Sequence, residues 1–350
     1  MKKIVLFLLA FLTIITITGC TSSGTPDIAL KQAFAKNLTL DGYNYQSEMK
    51  LNKLDIKKEN VTEKDDKIIA IMKGFSLGFN GAVDSINAKQ EIVFDIRYNQ
   101  NNVDASIKFP VLVDYKKQHI YVGKSILNTV LLPSNMFEKT IMLDFSKNSS
   151  LSKKLNKSED GKVLASYMQK YLSEGHFKKQ QESYKKAYAD AFNDINVSNF
   201  KYTDLSKKQI RLTLDNKDSA NVISTILGAI VNDELNASED KDTPATLSGN
   251  QLKSLIMVFL YTIDLQTTID SNINNSGYID SNNINFNISD INKKKFNADI
   301  QMSTKYDNFN HPNFSINTSN VTENIDIDEL VKLFEAKKDK KPVSKKKKKK

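Results

Sequence analysis

Cysteine, histidine and tryptophan are scarce in this sequence of 350 residues, which contains one Cys, three His and no Trp. A single cysteine excludes a disulfide framework and any cysteine-based zinc cluster. The histidines, His119, His176 and His311, are far apart in sequence, and none lies beside a nucleophile motif such as Gly-x-Ser-x-Gly. The sequence therefore predicts a protein that is not an enzyme and that needs no metal and no cofactor.

Excess positive charge is confined to one segment, although the net charge of the chain is +9. Residues 337–350 contain ten lysines and one acid, Asp339, which leaves 40 basic and 40 acidic residues in residues 1–336. The basic character therefore belongs to a tail and not to the surface of a folded domain. For this reason we do not expect nucleic acid to be a partner.

The amino terminus carries an apolar run that is too short to anchor the chain in a membrane. Lys2 and Lys3 precede the fourteen residues 4–17, which are apolar apart from two threonines. As a helix this run is about 21 Å long, whereas the hydrocarbon core of a bilayer is roughly 30 Å thick. We therefore predict a signal peptide over residues 1–19.

The apolar run ends at Ile17-Thr18-Gly19-Cys20, which resembles the lipobox of bacterial lipoproteins. The resemblance implies cleavage between Gly19 and Cys20 and attachment of a diacylglycerol to the Cys20 thiol. Acyl chains on Cys20 would anchor the mature protein in a lipid bilayer of the bacterial cell envelope. The outer membrane is favoured if the cell has one, because Thr21 replaces the aspartate of the inner-membrane retention signal. The alternative is an ordinary signal peptide with an incidental cysteine.

The rest of the chain divides into three segments by composition. Residues 20–26 are small and polar after Cys20, which predicts a flexible tether. One lipoprotein domain is predicted over residues 27–336; two similar halves, 27–150 and 151–336, are an alternative based on a loosely recurring element order. Residues 337–350 predict a disordered polylysine tail, because like charges repel.

Alternating apolar residues predict an antiparallel sheet with one apolar and one polar face. Such alternation occurs at residues 43–51, 69–79, 92–98, 103–109, 119–122, 140–145, 200–202, 210–214, 284–288 and 296–302. Helical spacing predicts helices near residues 28–34 (with Asp27 as the cap), 163–172, 184–192, 222–231 and 325–334, and the apolar run 252–263 predicts a buried helix or a helix-to-strand segment. The predicted fold class is α+β.

The order of these segments resembles a known family. A lipobox, a polar tether and a helix lead into the Gly-Tyr-Asn-Tyr strand at 42–45, long alternating strands and the Asp114–Val122 hairpin. Over residues 27–335 this order is similar to the LolA/LolB/LppX-type superfamily of bacterial lipoprotein carriers. The resemblance implies a strongly curved antiparallel sheet, an incomplete barrel, with helices packed on its concave face. It also implies an apolar cavity for acyl chains and no catalytic residues.

The first hypothesis for the function is the binding or carrying of an apolar or lipidic ligand in that cavity. Aromatic side chains on the alternating strands are the candidates for lining it: Tyr43, Tyr45, Phe75, Phe79, Phe94 and Phe109. The alternative is that they form an ordinary packed core. The pattern does not separate the two, since both need only apolar side chains on the inner face.

The second hypothesis assigns the function to the tail, without a ligand cavity. Each lysine near an anionic membrane contributes about 1 kcal/mol of binding free energy. The partner would be an anionic polymer of the cell envelope or its surface, and the alternative is a solubilising tail with no partner. The residues concerned are above all Lys345, Lys346, Lys347, Lys348, Lys349 and Lys350.

Overall fold

The computed structural model of this chain describes residues 24–57, 63–100, 102–123, 140–206, 208–237, 249–260, 262–291 and 295–324. The predicted signal peptide and lipobox, the helix predicted near 325–334 and the lysine tail all lie outside the described residues.

The described chain contains seven helices and twelve strands. The helices are α1 (Pro26–Asn37), α2 (Glu63–Lys73), α3 (Ser150–Leu155), α4 (Glu159–Tyr171), α5 (Glu174–Asn193), α6 (Asn216–Ala237) and α7 (Gly249–Leu260). The strands are β1 (Gly42–Ile56), β2 (Phe75–Asp84), β3 (Lys89–Gln100), β4 (Val103–Asp114), β5 (His119–Val122), β6 (Thr140–Asp144), β7 (Phe200–Asp204), β8 (Gln209–Leu214), β9 (Ile263–Ile273), β10 (Ile279–Asp290), β11 (Phe296–Asp307) and β12 (Val321–Asn324).

All twelve strands belong to one sheet, in the order β12-β6-β5-β4-β3-β2-β1-β11-β10-β9-β8-β7. Strands β1–β6 form one meander and β7–β11 another, and the β1–β11 pair joins them. Every neighbouring pair is antiparallel except β12 with β6, which is parallel. The two edge strands, β12 and β7, do not pair with each other, so the sheet is not closed. The prediction of an α+β fold with a large antiparallel sheet is confirmed.

One face of this sheet carries the main hydrophobic core. Side chains of α1, α5 and α6, such as Phe34, Phe192 and Ile226, belong to the same buried cluster as apolar side chains of most strands. Because side chains alternate along a strand, Val113 enters this cluster while its neighbour Leu112 faces the opposite side. We call these two sides the apolar face and the polar face.

A segment after β11, residues 308–320, crosses the polar face and leads to β12; we call it the strap. Asn44 of β1 donates to the carbonyl of Asn313 (2.7 Å) and accepts from its backbone N–H (2.8 Å). Further along, Ile316 packs on Leu112 and Tyr121 in a small second core. The strap thus attaches the end of the described chain to strands of the first meander.

Three expectations from the sequence were wrong or incomplete. Residues 69–73, predicted as part of a strand over 69–79, are the end of α2, and the strand begins only at Phe75. Gly74 separates them, and a Cβ there would lie 2.7 Å from the Tyr98 ring. Helix α1 begins at Pro26 with Thr25 at the cap position, so Asp27 is inside its first turn. Strand β9 had not been predicted.

Candidate functional site

A small cavity lies between the apolar face and three helices. Its helical lining consists of Phe34 of α1, Tyr188 and Phe192 of α5, and Ser219, Val222, Ile223 and Ile226 of α6. Its lining from the sheet consists of Leu214 of β8, Thr267 and Ile269 of β9, and Asn282, Ile284 and Phe286 of β10. We call this part of the apolar face, on β8–β10 beneath α1, α5 and α6, the covered region.

The cavity has a volume of about 40 Å³. A water-sized site needs about 10–15 Å³, so the space holds about three such sites and no acyl chain. Its polar lining is largely used by the fold: Ser219 donates to the Leu214 carbonyl, and Asn282 accepts from Ser271 at 2.7 Å. Thr267 Oγ1 has no hydrogen-bond partner among the described residues. The covered region is therefore close to a packed core.

Burial also raises the pKa values of tyrosines in the main core. Desolvation raises the pKa of Tyr45, Tyr115, Tyr188 and Tyr306 well above the ordinary value of 10, and neighbouring tyrosines raise it further. Tyr43 contributes to the shift at Tyr45, Tyr188 and Tyr306, and its ring packs edge-on against Tyr306 with centroids 6.1 Å apart. These phenols stay neutral at physiological pH, as expected of a dry interior.

The six aromatic candidates occupy different environments. Tyr43, Tyr45 and Phe79 are buried in the main core, Phe94 and Phe109 are half-buried, and Phe75 is exposed. The 40 Å³ cavity is lined by other residues. The structure therefore places the first three in packed core and leaves Phe75, with its neighbours, as the part of the set that a ligand can reach.

Phe75 belongs to an apolar grid on β2, β3 and β4. Pairing across the three strands aligns Phe75 with Tyr98 and Ala105, Leu77 with Ile96 and Ile107, and Phe79 with Phe94 and Phe109. All nine side chains lie on the apolar face, because they alternate with residues on the polar face. The first two rows, six residues in all, are called the apolar patch.

Exposure rises along this grid from the core outwards. Phe79 is buried, whereas Phe75, Ile96 and Ile107 are 41%, 42% and 37% exposed. Phe75 and Tyr98 remain in ring contact, with centroids 4.9 Å apart. Phe79 and Phe94 belong to or pack against the main core cluster, whereas Ile96 and Ile107 are not among its members. Contiguous exposed apolar surface on an otherwise packed face is typical of a binding site for an apolar partner.

Ile96 and Ile107 were not predicted as ligand-binding residues, because only aromatic residues were considered as candidates. The sequence nevertheless carried a signal that pairs them. The β3–β4 pairing runs without a shift from Gln100 opposite Val103, and this register places Ile96 directly opposite Ile107. Asn102, in the turn between the two strands, has the positive φ (62°) that such turns require.

His119 lies on the polar face, where Nδ1 is 3.0 Å from the Tyr121 hydroxyl and Nε2 is 3.5 Å from Asp144. The contact with Asp144 joins β5 to β6, so a structural role accounts for the residue. Across the described ranges, no group of three or more His, Cys, Asp or Glu side chains is arranged to hold a metal ion.

Comparison with known proteins gives no family. A scan against protein-family models and searches of curated proteins and solved structures found no match to this chain. Among the helices that the structure describes, none is both long enough and apolar enough to span a membrane.

Proposed function

We propose that this protein is a lipoprotein of the bacterial cell envelope, anchored through acylated Cys20, that binds a ligand with an acyl chain at the apolar patch. The observation that carries the proposal is the exposure of Phe75, Ile96 and Ile107 on adjacent strands of the face that elsewhere forms the core. An acyl chain needs only apolar walls of this kind, without directional hydrogen bonds.

The proposal includes the finer geometry of the lipoprotein-carrier resemblance. In it the sheet is strongly curved, as an incomplete barrel, with helices packed on its concave face. The apolar patch is then the part of the concave face beyond α1, α5 and α6. A ligand in the covered region would have to displace a helix, because the 40 Å³ cavity there is far below the several hundred Å³ of ordinary ligand sites. The patch requires no such displacement.

Substitutions within the patch test the ligand site. We expect Ile96→Lys and Ile107→Lys each to weaken binding of a fluorescent fatty acid about ten- to a hundredfold, because each loses roughly 1.5–3 kcal/mol of apolar burial. The measurement is a titration of the purified full-length protein, complemented by native mass spectrometry of lipids that copurify with it.

Ile86→Lys is the matched control, since Ile86 is also an exposed isoleucine (60%) but lies in the β2–β3 turn. It should leave the affinity unchanged. Equal affinities for the three variants and the unchanged protein, or the absence of any bound lipid, would contradict a ligand site at the patch.

The anchor is tested at Cys20, the single cysteine of the chain. We expect Cys20→Ser to abolish incorporation of labelled palmitate and either to release the protein from the membrane or to leave an unprocessed precursor at the inner membrane. Fractionation of the unchanged protein should place it in the outer membrane if the cell has one. Unaltered palmitate incorporation in Cys20→Ser would contradict the lipobox interpretation.

A second function, binding of an anionic envelope polymer, is favoured by where the charge lies. The tail holds all of the excess positive charge, and residues 1–336 are balanced. Deleting residues 337–350 should remove most binding to anionic vesicles or purified cell wall, and binding by the full chain should fall steeply with salt. Sedimentation at low and high salt measures both effects. Equal binding with and without the tail would leave it only a solubilising role.

A further inference from the structure

The first described residues of the chain are fixed against one edge of the sheet. The Tyr202 hydroxyl, from β7, donates a hydrogen bond of 3.0 Å to the carbonyl of Gly24. Helix α1 begins two residues later, and its Lys31 ammonium lies 5.6 Å from the centre of the Phe200 ring, also in β7. Gly24 and the first turns of α1 therefore lie beside β7, the last strand of the sheet.

The distance between this edge and the anchor is limited by covalent geometry. Gly24 is the fourth residue after Cys20, and an extended chain advances at most about 3.6 Å per residue, so the two are at most about 14 Å apart. If Cys20 is acylated, as the proposed function holds, its glycerol group lies at the bilayer interface. Gly24 must then lie within about 14 Å of that interface.

Exposed apolar side chains surround the same edge. Ile28 in the first turn of α1 is 43% exposed, Val197 just before β7 is 55% exposed, and Leu205 just after β7 is 72% exposed. Val197 is three residues before the start of β7, and Leu205 is the first residue after its end. The charges here are mixed, since Lys31 and Lys201 accompany Asp194 and Asp204.

We propose that the β7 edge, with Ile28, Val197 and Leu205, lies against the surface of the bilayer that holds the anchor. The inference rests on the acylation of Cys20 in the proposed function. Apolar side chains that reach the interface gain free energy from burial among headgroups and upper acyl chains, whereas in water they gain none. The short tether keeps this surface, and not another, in contact with the lipid.

The strand order gives the separation between this edge and the apolar patch. Its nearest strand, β2, is six strands from β7 in the sheet, which is about 29 Å along the sheet at roughly 4.8 Å per strand. The patch and the edge that faces the anchor are therefore separate parts of the sheet.

The single cysteine makes a direct test practicable. Acylation occupies the Cys20 thiol, so Val197→Cys, Leu205→Cys or Ile86→Cys each provides one free thiol for an environment-sensitive dye. The full-length acylated protein is placed in phosphatidylcholine–phosphatidylglycerol vesicles that contain a headgroup-linked quencher. We expect loss of fluorescence from dyes at 197 and 205 and none from the dye at 86, which serves as the matched exposed control.

The outcomes separate this inference from the proposed function. Equal quenching at all three positions, or quenching only at 86, in a protein with acylated Cys20 would overturn the orientation and leave the anchor intact. Mass spectrometry that finds no acyl group on Cys20 would overturn the anchor and this inference with it. Fatty-acid binding at the patch is measured separately and depends on neither result.

Discussion

Two regions of the same apolar face differ in what lies over them. In the covered region Ile210 and Leu212 of β8 are completely buried, together with side chains of the helices. In the apolar patch Ile96 and Ile107 alternate along their strands in the same way, yet both are exposed. The alternation of a strand therefore determines which face a residue is on, and distant helices determine whether that face is packed. The patch is the part of the face where such apolar side chains remain exposed among the described residues.

The largest expected effect compares one isoleucine from each region. Ile210→Ala should lower the free energy of unfolding by about 2–5 kcal/mol, because it leaves a cavity in packed surroundings. Ile96→Ala should lower it by about 1 kcal/mol or less, because the side chain is already partly in water. Urea unfolding followed by circular dichroism measures both. Similar losses for the two variants would mean that the patch is as well packed as the covered region and is not a binding surface.

Much of the sheet was predictable, because its signals are local. The alternating segments 92–98 and 103–109 and the Asp114–Val122 hairpin were predicted, and the structure confirms them as parts of the β3–β4 and β4–β5 pairs. Asn102 and Gln118 occupy the positive-φ positions of the turns within these pairs. Alternation also predicted correctly which side chains share the apolar face, since that depends only on the two-residue period of a strand.

The failures have identifiable physical causes. Strand β9 was missed because its buried face includes Thr267 and Ser271, so a count of apolar residues finds no clean alternation. Residues 69–73 alternate by chance within a helix, Glu63–Lys73, that is rich in helix-forming residues and ends at Gly74. The strap has no periodic pattern at all, and its position depends on contacts more than 200 residues away in sequence, such as that of Ile316 with Glu91.

A buried carboxylate, Glu91 of β3, lies on the opposite, polar face of the sheet. This carboxylate accepts hydrogen bonds from the backbone N–H groups of Ser315 (2.8 Å) and Ile316 (2.7 Å) and from the Ser315 hydroxyl (3.0 Å). Glu91→Ala should lower the free energy of unfolding by about 1.5–3 kcal/mol, since buried donors lose a charged acceptor. It should also speed chymotrypsin cleavage at Phe309 or Phe314 in the strap.

Glu159→Ala is the matched control for Glu91. Glu159 is 88% exposed and pairs only with Lys162 in its own helix, so its loss should change stability by about 0.5 kcal/mol or less. If Glu91→Ala were equally mild and left cleavage of the strap unchanged, the strap would not depend on this carboxylate.

The smallest effect concerns the alkaline stability of the packed core. Because burial raises the folded-state pKa of Tyr45, Tyr115, Tyr188 and Tyr306, the folded chain keeps these protons above pH 10 while the unfolded chain releases them. Their contribution to stability is therefore intact below pH 10 and falls above it, by about 1.4 kcal/mol per tyrosine per pH unit. Tyr115→Phe should reduce this slope by the share of one tyrosine, because it removes one titrating phenol, whose hydroxyl donates a long hydrogen bond (3.4 Å) to Gln90. Urea unfolding at several pH values above 10, with tyrosinate absorbance recorded in parallel, measures the slope. An unchanged slope in Tyr115→Phe, or tyrosinate absorbance that reaches its limit before the chain unfolds, would show that water enters the core as readily as it reaches the patch.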